Sequence, residues 1–259
     1  MRAIFYWILL VPFLVISQSN SEYTVIENGM MTVNPKYITE FEAGVAAHNN
    51  KYHTDGMYGS RIYQINNGTN IGKYLWVMGP IPWSAFDDRP QQEGHEEDWN
   101  KNIEPYTIAG GDQIYWRFYP ELSNFPKDFT IKNAMVDMFD IKRFKQAEVL
   151  ELLKKIKKVK KEKYPNDSYG VYTNEFPNDK EGKDIAIVSF YQNSGWLGKT
   201  DEFPKKYEEV YGRGSFEHFL KEWEKVTIGK QTELWIFRED LSGISGEIKS
   251  ASARYQGKN

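Results

Sequence analysis

Ile114-Tyr115-Trp116-Arg117-Phe118-Tyr119-Pro120-Glu121-Leu122-Ser123 has a partner further along the chain, Leu234-Trp235-Ile236-Phe237-Arg238-Glu239-Asp240-Leu241-Ser242. Each reads as an aromatic-rich strand that runs into a polar turn at Leu-Ser. From Leu122 to Leu241 the separation is 119 residues. Self-similarity at a fixed separation marks a repeated unit, and a repeated unit constrains the fold more than local propensity does. Upstream of these strands the match continues at a separation of 111. There Tyr74-Leu75-Trp76-Val77 falls over Ile185-Ala186-Ile187-Val188, and Tyr58-Gly59 over Tyr169-Gly170. Phe41, Val45 and His48 fall over Leu152, Ile156 and Val159, and Tyr23 to Ile26 over Ala134 to Asp137. The second copy therefore carries about eight extra residues, placed in 192–214.

Within each copy the order is β-α-β-β-α-β. In the first, an alternating strand at 23–26 precedes a helix that starts at Asn34-Pro35, a good cap followed by a good first residue. Ile38, Phe41, Val45, His48 and Tyr52 recur at three- and four-residue steps, one face of an amphipathic helix. Strands are expected at 61–65 and 74–78, a weaker helix at 93–103, and then the strand at 114–119. The second copy repeats this order: strand 134–139, helix 146–164, strands 170–176 and 185–191, a helical stretch 204–225 broken at Gly212-Arg213-Gly214, and the strand at 234–237.

Residues 1–17 read as a secretory signal peptide: Arg2, an almost wholly apolar run, then Val15-Ile16-Ser17 at a cleavage spacing. The apolar run is too short to span a bilayer. An exported protein, periplasmic or secreted, is the expectation, with no membrane association after cleavage. The full division is signal peptide 1–17, repeats 18–126 and 127–242, and a disordered tail 243–259. There are no cysteines, so neither disulfides nor thiolate chemistry is available. The net charge of −3 gives no reason to expect a nucleic-acid partner. Hydrophobic residues at 40% and aromatics at 15% mark a globular chain with a large aromatic core. Seven lysines fall in the ten positions from Lys154 to Lys163, with Ile156 and Val159 between them, which makes them the solvated face of a helix.

A βαββαβ unit is the ferredoxin-like split βαβ, with helices on one sheet face and the other left bare. The tandem order and the aromatic last strands resemble the dimeric α+β barrel superfamily, which includes antibiotic-biosynthesis-type and haem-degrading monooxygenases, EthD-like proteins and chlorite-dismutase-like proteins. The resemblance implies an α+β fold in which two tandem ferredoxin-like repeats pack as a pseudo-dimeric α+β barrel, in a monomer or homodimer. It maps no catalytic residue onto this chain.

The candidate pocket residues follow from strand alternation. If Ile114, Trp116 and Phe118 pack on the helices, then Tyr115, Arg117 and Tyr119 face the sheet's other side, as do Arg61 and Tyr63. An arginine among tyrosines inside a barrel can hold an anion; the same side chains at a solvated rim would do nothing. His48, on an apolar helix face, is either a core histidine or a haem ligand or base. His218 lies on the last helix, where some superfamily haem proteins place an axial ligand. His95 opens a run, His95-Glu96-Glu97-Asp98, that reads as a solvated acidic face. No histidine pair shows metal-ligand spacing, so no metal site is expected, and the sequence names no cofactor. A small-molecule binding or accessory role is the first functional reading. A monooxygenase-like or haem-dependent enzyme is the second.

Overall fold

The computed structural model describes residues 22–54, 56–178, 182–200 and 202–250. The signal peptide expected at 1–17 and the last nine residues lie outside them. In chain order the elements are β1 (Thr24–Val33), α1 (Ile38–Tyr52), β2 (Ser60–Ile65), β3 (Tyr74–Pro82), α2 (Ser84–Asp87), α3 (His95–Asn102) and β4 (Thr107–Phe118), then β5 (Phe129–Thr130), β6 (Asn133–Ile141), α4 (Gln146–Lys163), β7 (Tyr169–Asn174), β8 (Ile185–Tyr191), α5 (Phe203–Tyr211), α6 (Ser215–Val226), β9 (Thr227–Phe237) and β10 (Glu247–Ile248).

Eight strands close into one antiparallel barrel in the order β1-β3-β2-β9-β6-β8-β7-β4. Read from β4, the first four run β4-β1-β3-β2; read from β9, the others run β9-β6-β8-β7. Two short seams join the halves. β2 meets β9 through Tyr63–Phe237, Gln64–Ile236 and Ile65–Trp235. β4 meets β7 through Trp116–Asn174, Arg117–Thr173 and Phe118–Tyr172.

The register corrects part of the alignment read from sequence. Trp116 lies opposite Ile26 and Trp235 opposite Ala134, so β1 corresponds to β6 at 108 residues, the separation of Ala134 from Ile26. An offset of 111 would match an inward residue with an outward one, because side chains alternate with period two. β2 and β7 correspond through Ser60 and Tyr169, each opposite a β3 or β8 residue that does match at 111.

The strand phase is also the reverse of the one expected. Ile114, Trp116 and Phe118 point into the barrel, where Trp116 packs with Ala134, Val136, Met138, Tyr172 and Ala186. Tyr115, Arg117 and Tyr119 face outward. Tyr115 stacks on Trp83 and Phe86, and the Arg117 guanidinium lies 3.9 Å from the Tyr23 ring and 5.0 Å from the Tyr119 ring. The reason is the helix layer: on β3, Tyr74 and Trp76 supply the apolar surface under α1 and α3 and Met78 that against α2, so β4 is free to give its apolar side to the barrel. Each buried side chain of this size contributes roughly 1.5–3 kcal/mol.

The described part of the segment after β9 is not a free tail. Residues 243–250 cross one end of the barrel and pair with β5 as β10. Arg61 holds this strap: its Nε donates to Ser245 O at 2.9 Å and its Nη2 to Glu247 O at 3.1 Å. Gly243 packs so closely that a Cβ there would lie 2.0 Å from the carbonyl oxygen of His53. Among the described residues no helix is long and apolar enough to cross a membrane.

Candidate functional site

Two places in the molecule collect chemistry. The first is the barrel interior. Ile26 and Met30, Leu75 and Val77, Ile114 and Trp116, Val136 and Met138, Ala186 and Val188 leave an apolar cavity of about 90 Å3 between them. At the end carrying the β2–β3 and β7–β8 turns the lining becomes polar: Asn28, Asn70, Asp112, Lys183 and Glu233. Glu233 is 2% exposed. Its carboxylate accepts from Asn70 Nδ2 at 2.7 Å, Gln231 Nε2 at 2.8 Å and Trp235 Nε1 at 2.8 Å. Lys183 and Asp112 form an ion pair at 2.8 Å across the same end. The opposite end is shut by the strap over a chamber of about 300 Å3 that Arg61 and Tyr63 help to line.

The second place lies outside the sheet, beneath α1 and α3. His48 on α1 is fully buried; His53 closes α1 and His95 opens α3. Gly44 permits the approach of the two helices, since a Cβ there would lie 2.1 Å from Asn102 O on α3. His48 Nδ1 bonds Asp98 Oδ2 at 2.8 Å. His53 Nδ1 donates to Tyr58 O at 2.9 Å, and its Nε2 lies 3.1 Å from His95 Nε2. Trp99 packs edge-on to His48, and Trp76 edge-on to His53. Burial pushes all three imidazoles below the ordinary histidine value, His53 to about 4. An open pocket lined by His53, His95, Tyr52, Tyr58, Arg89 and Gln92 reaches this cluster from solvent.

Of the residues singled out from sequence, Tyr63 faces the barrel interior and Arg61 its strapped end. Tyr115, Arg117 and Tyr119 are outside and form no pocket with them. His218 is exposed in a shallow groove among Lys142, Lys221, Glu222, Glu224 and Lys225. His95 and Asp98 do not belong to a solvated acidic face; they turn inward to His48. Three histidines that the sequence did not bring together, His48, His53 and His95, each place one ring nitrogen within 4.8 Å of the others. Sequence spacing missed this cluster because His95 lies 42 residues from His53 and joins it only through the α1–α3 contact. Asp112 was missed because the inward phase of β4 was assigned to the other set, and Lys183 because it lies before β8, where strand alternation gives no phase.

Neither a family model nor a curated protein sequence matches the chain. Solved structures do. A candidate monooxygenase from Lactobacillus acidophilus NCFM superposes with a TM-score of 0.53 at 11% identity, over 88% of this chain and 99% of that one. A second, from Fusobacterium nucleatum subsp. nucleatum ATCC 25586, gives 0.55 at 9% identity over 84% and 93%. Chlorite dismutase from Candidatus Nitrospira defluvii in complex with imidazole gives 0.51 at 8% identity over 85% and 95%. The chain has the α+β barrel fold of these proteins, and identities this low speak for the fold alone.

Neither histidine singled out from the sequence is placed to hold haem. His218 faces a charged surface groove, and the layer beneath α6 is filled by Phe219 and Trp223. His48 is hemmed in by Asp98, Trp99, Tyr52 and the other two histidines, with no slot for a macrocycle.

Proposed function

We propose that this chain is an exported small-molecule-binding protein, built from two tandem ferredoxin-like repeats, that takes its ligand into the polar end of the barrel. The matching strand orders β4-β1-β3-β2 and β9-β6-β8-β7 support the tandem reading. The observation that carries the binding reading is Glu233, a buried carboxylate held by three donors at the polar end of a largely apolar cavity. Burying such a group is costly unless it is fully satisfied, and a barrel core has no structural need of one. The ligand that suits the site is a small apolar ring carrying a hydrogen-bond donor, oriented by Glu233 and flanked by the Lys183–Asp112 pair.

A monooxygenase-like enzyme is the second reading. The fold likeness favours it, and so does the same carboxylate, which is placed to accept a proton from a bound substrate. Calorimetric titration with indole tests the binding site common to both. Binding is expected in the wild type, weakened in Glu233→Gln and abolished in Val136→Phe, which fills the cavity. Retention of full affinity in Val136→Phe would overturn the barrel site.

A further inference from the structure

We propose that His48, His53 and His95 form a divalent transition-metal site, best suited to Zn2+, with an open coordination position facing the pocket beneath Arg89. The site is separate from the barrel interior and does not rest on the barrel being a ligand site.

The tautomers carry the argument. Tyr58 O can only accept, so His53 Nδ1 must be the protonated nitrogen and its Nε2 presents a lone pair. Asp98 accepts from His48 Nδ1 in the same way, which leaves His48 Nε2 as a lone pair too. That atom is buried and has no hydrogen-bond partner among the described residues. A proton shared between His53 and His95 would account for their 3.1 Å contact and leave His48 Nε2 uncompensated. One metal ion satisfies all three nitrogens.

The spacing is right for this. Ligand nitrogens about 2.0–2.1 Å from a tetrahedral Zn2+ stand about 3.4 Å from one another. His53 and His95 are already at 3.1 Å, and the trio lies within 4.8 Å, so a small ring rotation of His48 or α3 closes the set. The supporting groups are those that metal-bound histidines use, a carboxylate behind His48 and a backbone carbonyl behind His53, each fixing the ring and its tautomer. Three protein nitrogens with access from one side is the pattern of catalytic zinc, which keeps its fourth position for water or substrate; structural sites are closed by four protein ligands. The pocket of about 510 Å3 reaching His53 and His95 provides that access. Imidazole donors favour zinc, copper, nickel and iron over magnesium or calcium.

The test is titration of the metal-free protein with Co2+, followed by visible absorption, and competition with Zn2+. One equivalent should produce the visible bands of a low-coordinate Co2+ centre, and Zn2+ should erase them. His53→Gln and His95→Gln should each lower affinity by at least about 100-fold, and Asp98→Asn by about 10–100-fold, as supporting residues of metal sites do. His218→Ala should bind as the wild type does. A measurement without substitution accompanies these: ring-nitrogen NMR on adding Zn2+. The Nε2 signals of three histidines should move while that of His218 stays. No one-equivalent site, wild-type affinity in both glutamine variants, loss of binding in His218→Ala, or unmoved ring signals would each overturn the proposal.

Discussion

The two helix layers of the barrel occupy matching places and are made of opposite materials. Under α4, α5 and α6 the layer is apolar: Val149, Leu152, Leu153, Val159, Tyr207 and Phe219 pack with Trp223 on Ile185. Under α1 and α3 the layer holds Phe41, Val45 and Tyr74, then turns at the C-terminal end of α1 into His48, Asn49, His53, His95 and Asp98. Among the described residues, the second layer closes without a buried histidine or carboxylate. The histidines of the first are therefore surplus to packing, and surplus buried polarity in a tight layer points to a task.

The largest expected effect breaks the apolar side of this comparison. Phe219, 5% exposed and ringed by Tyr207, Phe216 and Trp223, should cost about 3–5 kcal/mol as Phe219→Ala in denaturant melts. Next comes the exchange of materials. Val159→His puts an unpartnered imidazole into the apolar layer and should cost on the order of 3 kcal/mol. His48→Leu in the metal-free protein should change stability by less than about 1 kcal/mol, because it removes a nitrogen with no partner and leaves Asp98 able to reach water. A large loss in metal-free His48→Leu would show that the histidine is there for packing.

How much of this was legible in the sequence follows from range. The two aromatic strands and the helix faces of α1 and α4 were readable, because Phe41, Val45 and His48, or Val149, Leu152 and Leu153, recur at helical spacing. Which face of β4 looks inward was not readable. Ile114-Tyr115-Trp116-Arg117-Phe118 alternates cleanly, but both of its sides are aromatic, and the choice is made by Tyr74 and Trp76 on β3, which β1 separates from β4. The histidine cluster was hidden for a related reason, since its members meet only after Gly44 lets α3 settle on α1. The role of the final segment turned on Arg61, whose partners are backbone carbonyls that leave no trace in composition.

Gly44→Ala sharpens the same point. The added Cβ must push Asn102 away, so a loss of about 2 kcal/mol is expected from overpacking, with weaker metal binding because His95 moves with α3. A further effect concerns the tie between α1 and the end of β9. Glu42 accepts from Arg238 Nη1 and from the Tyr74 hydroxyl, both at 2.6 Å. Arg238 holds the Glu42 carboxyl below its ordinary value. A carboxyl depressed in the folded state stabilises it above the unfolded value of about 4.3, and that contribution fades as pH falls through the folded value. Glu42→Gln should therefore lose about 1–2 kcal/mol at neutral pH, and the gap to the wild type should close on acidification.

The central claim is that the first layer is a metal centre where the second is only a core. Crystals of the protein soaked in or grown with Zn2+, measured on both sides of the zinc absorption edge, test it most directly. The account predicts one strong anomalous peak about 2.0–2.1 Å from the Nε2 atoms of His48, His53 and His95, with no counterpart beneath α4 and α6. A peak confined to Glu96, Glu97 or His218, or no ordered zinc among the three histidines, would contradict it.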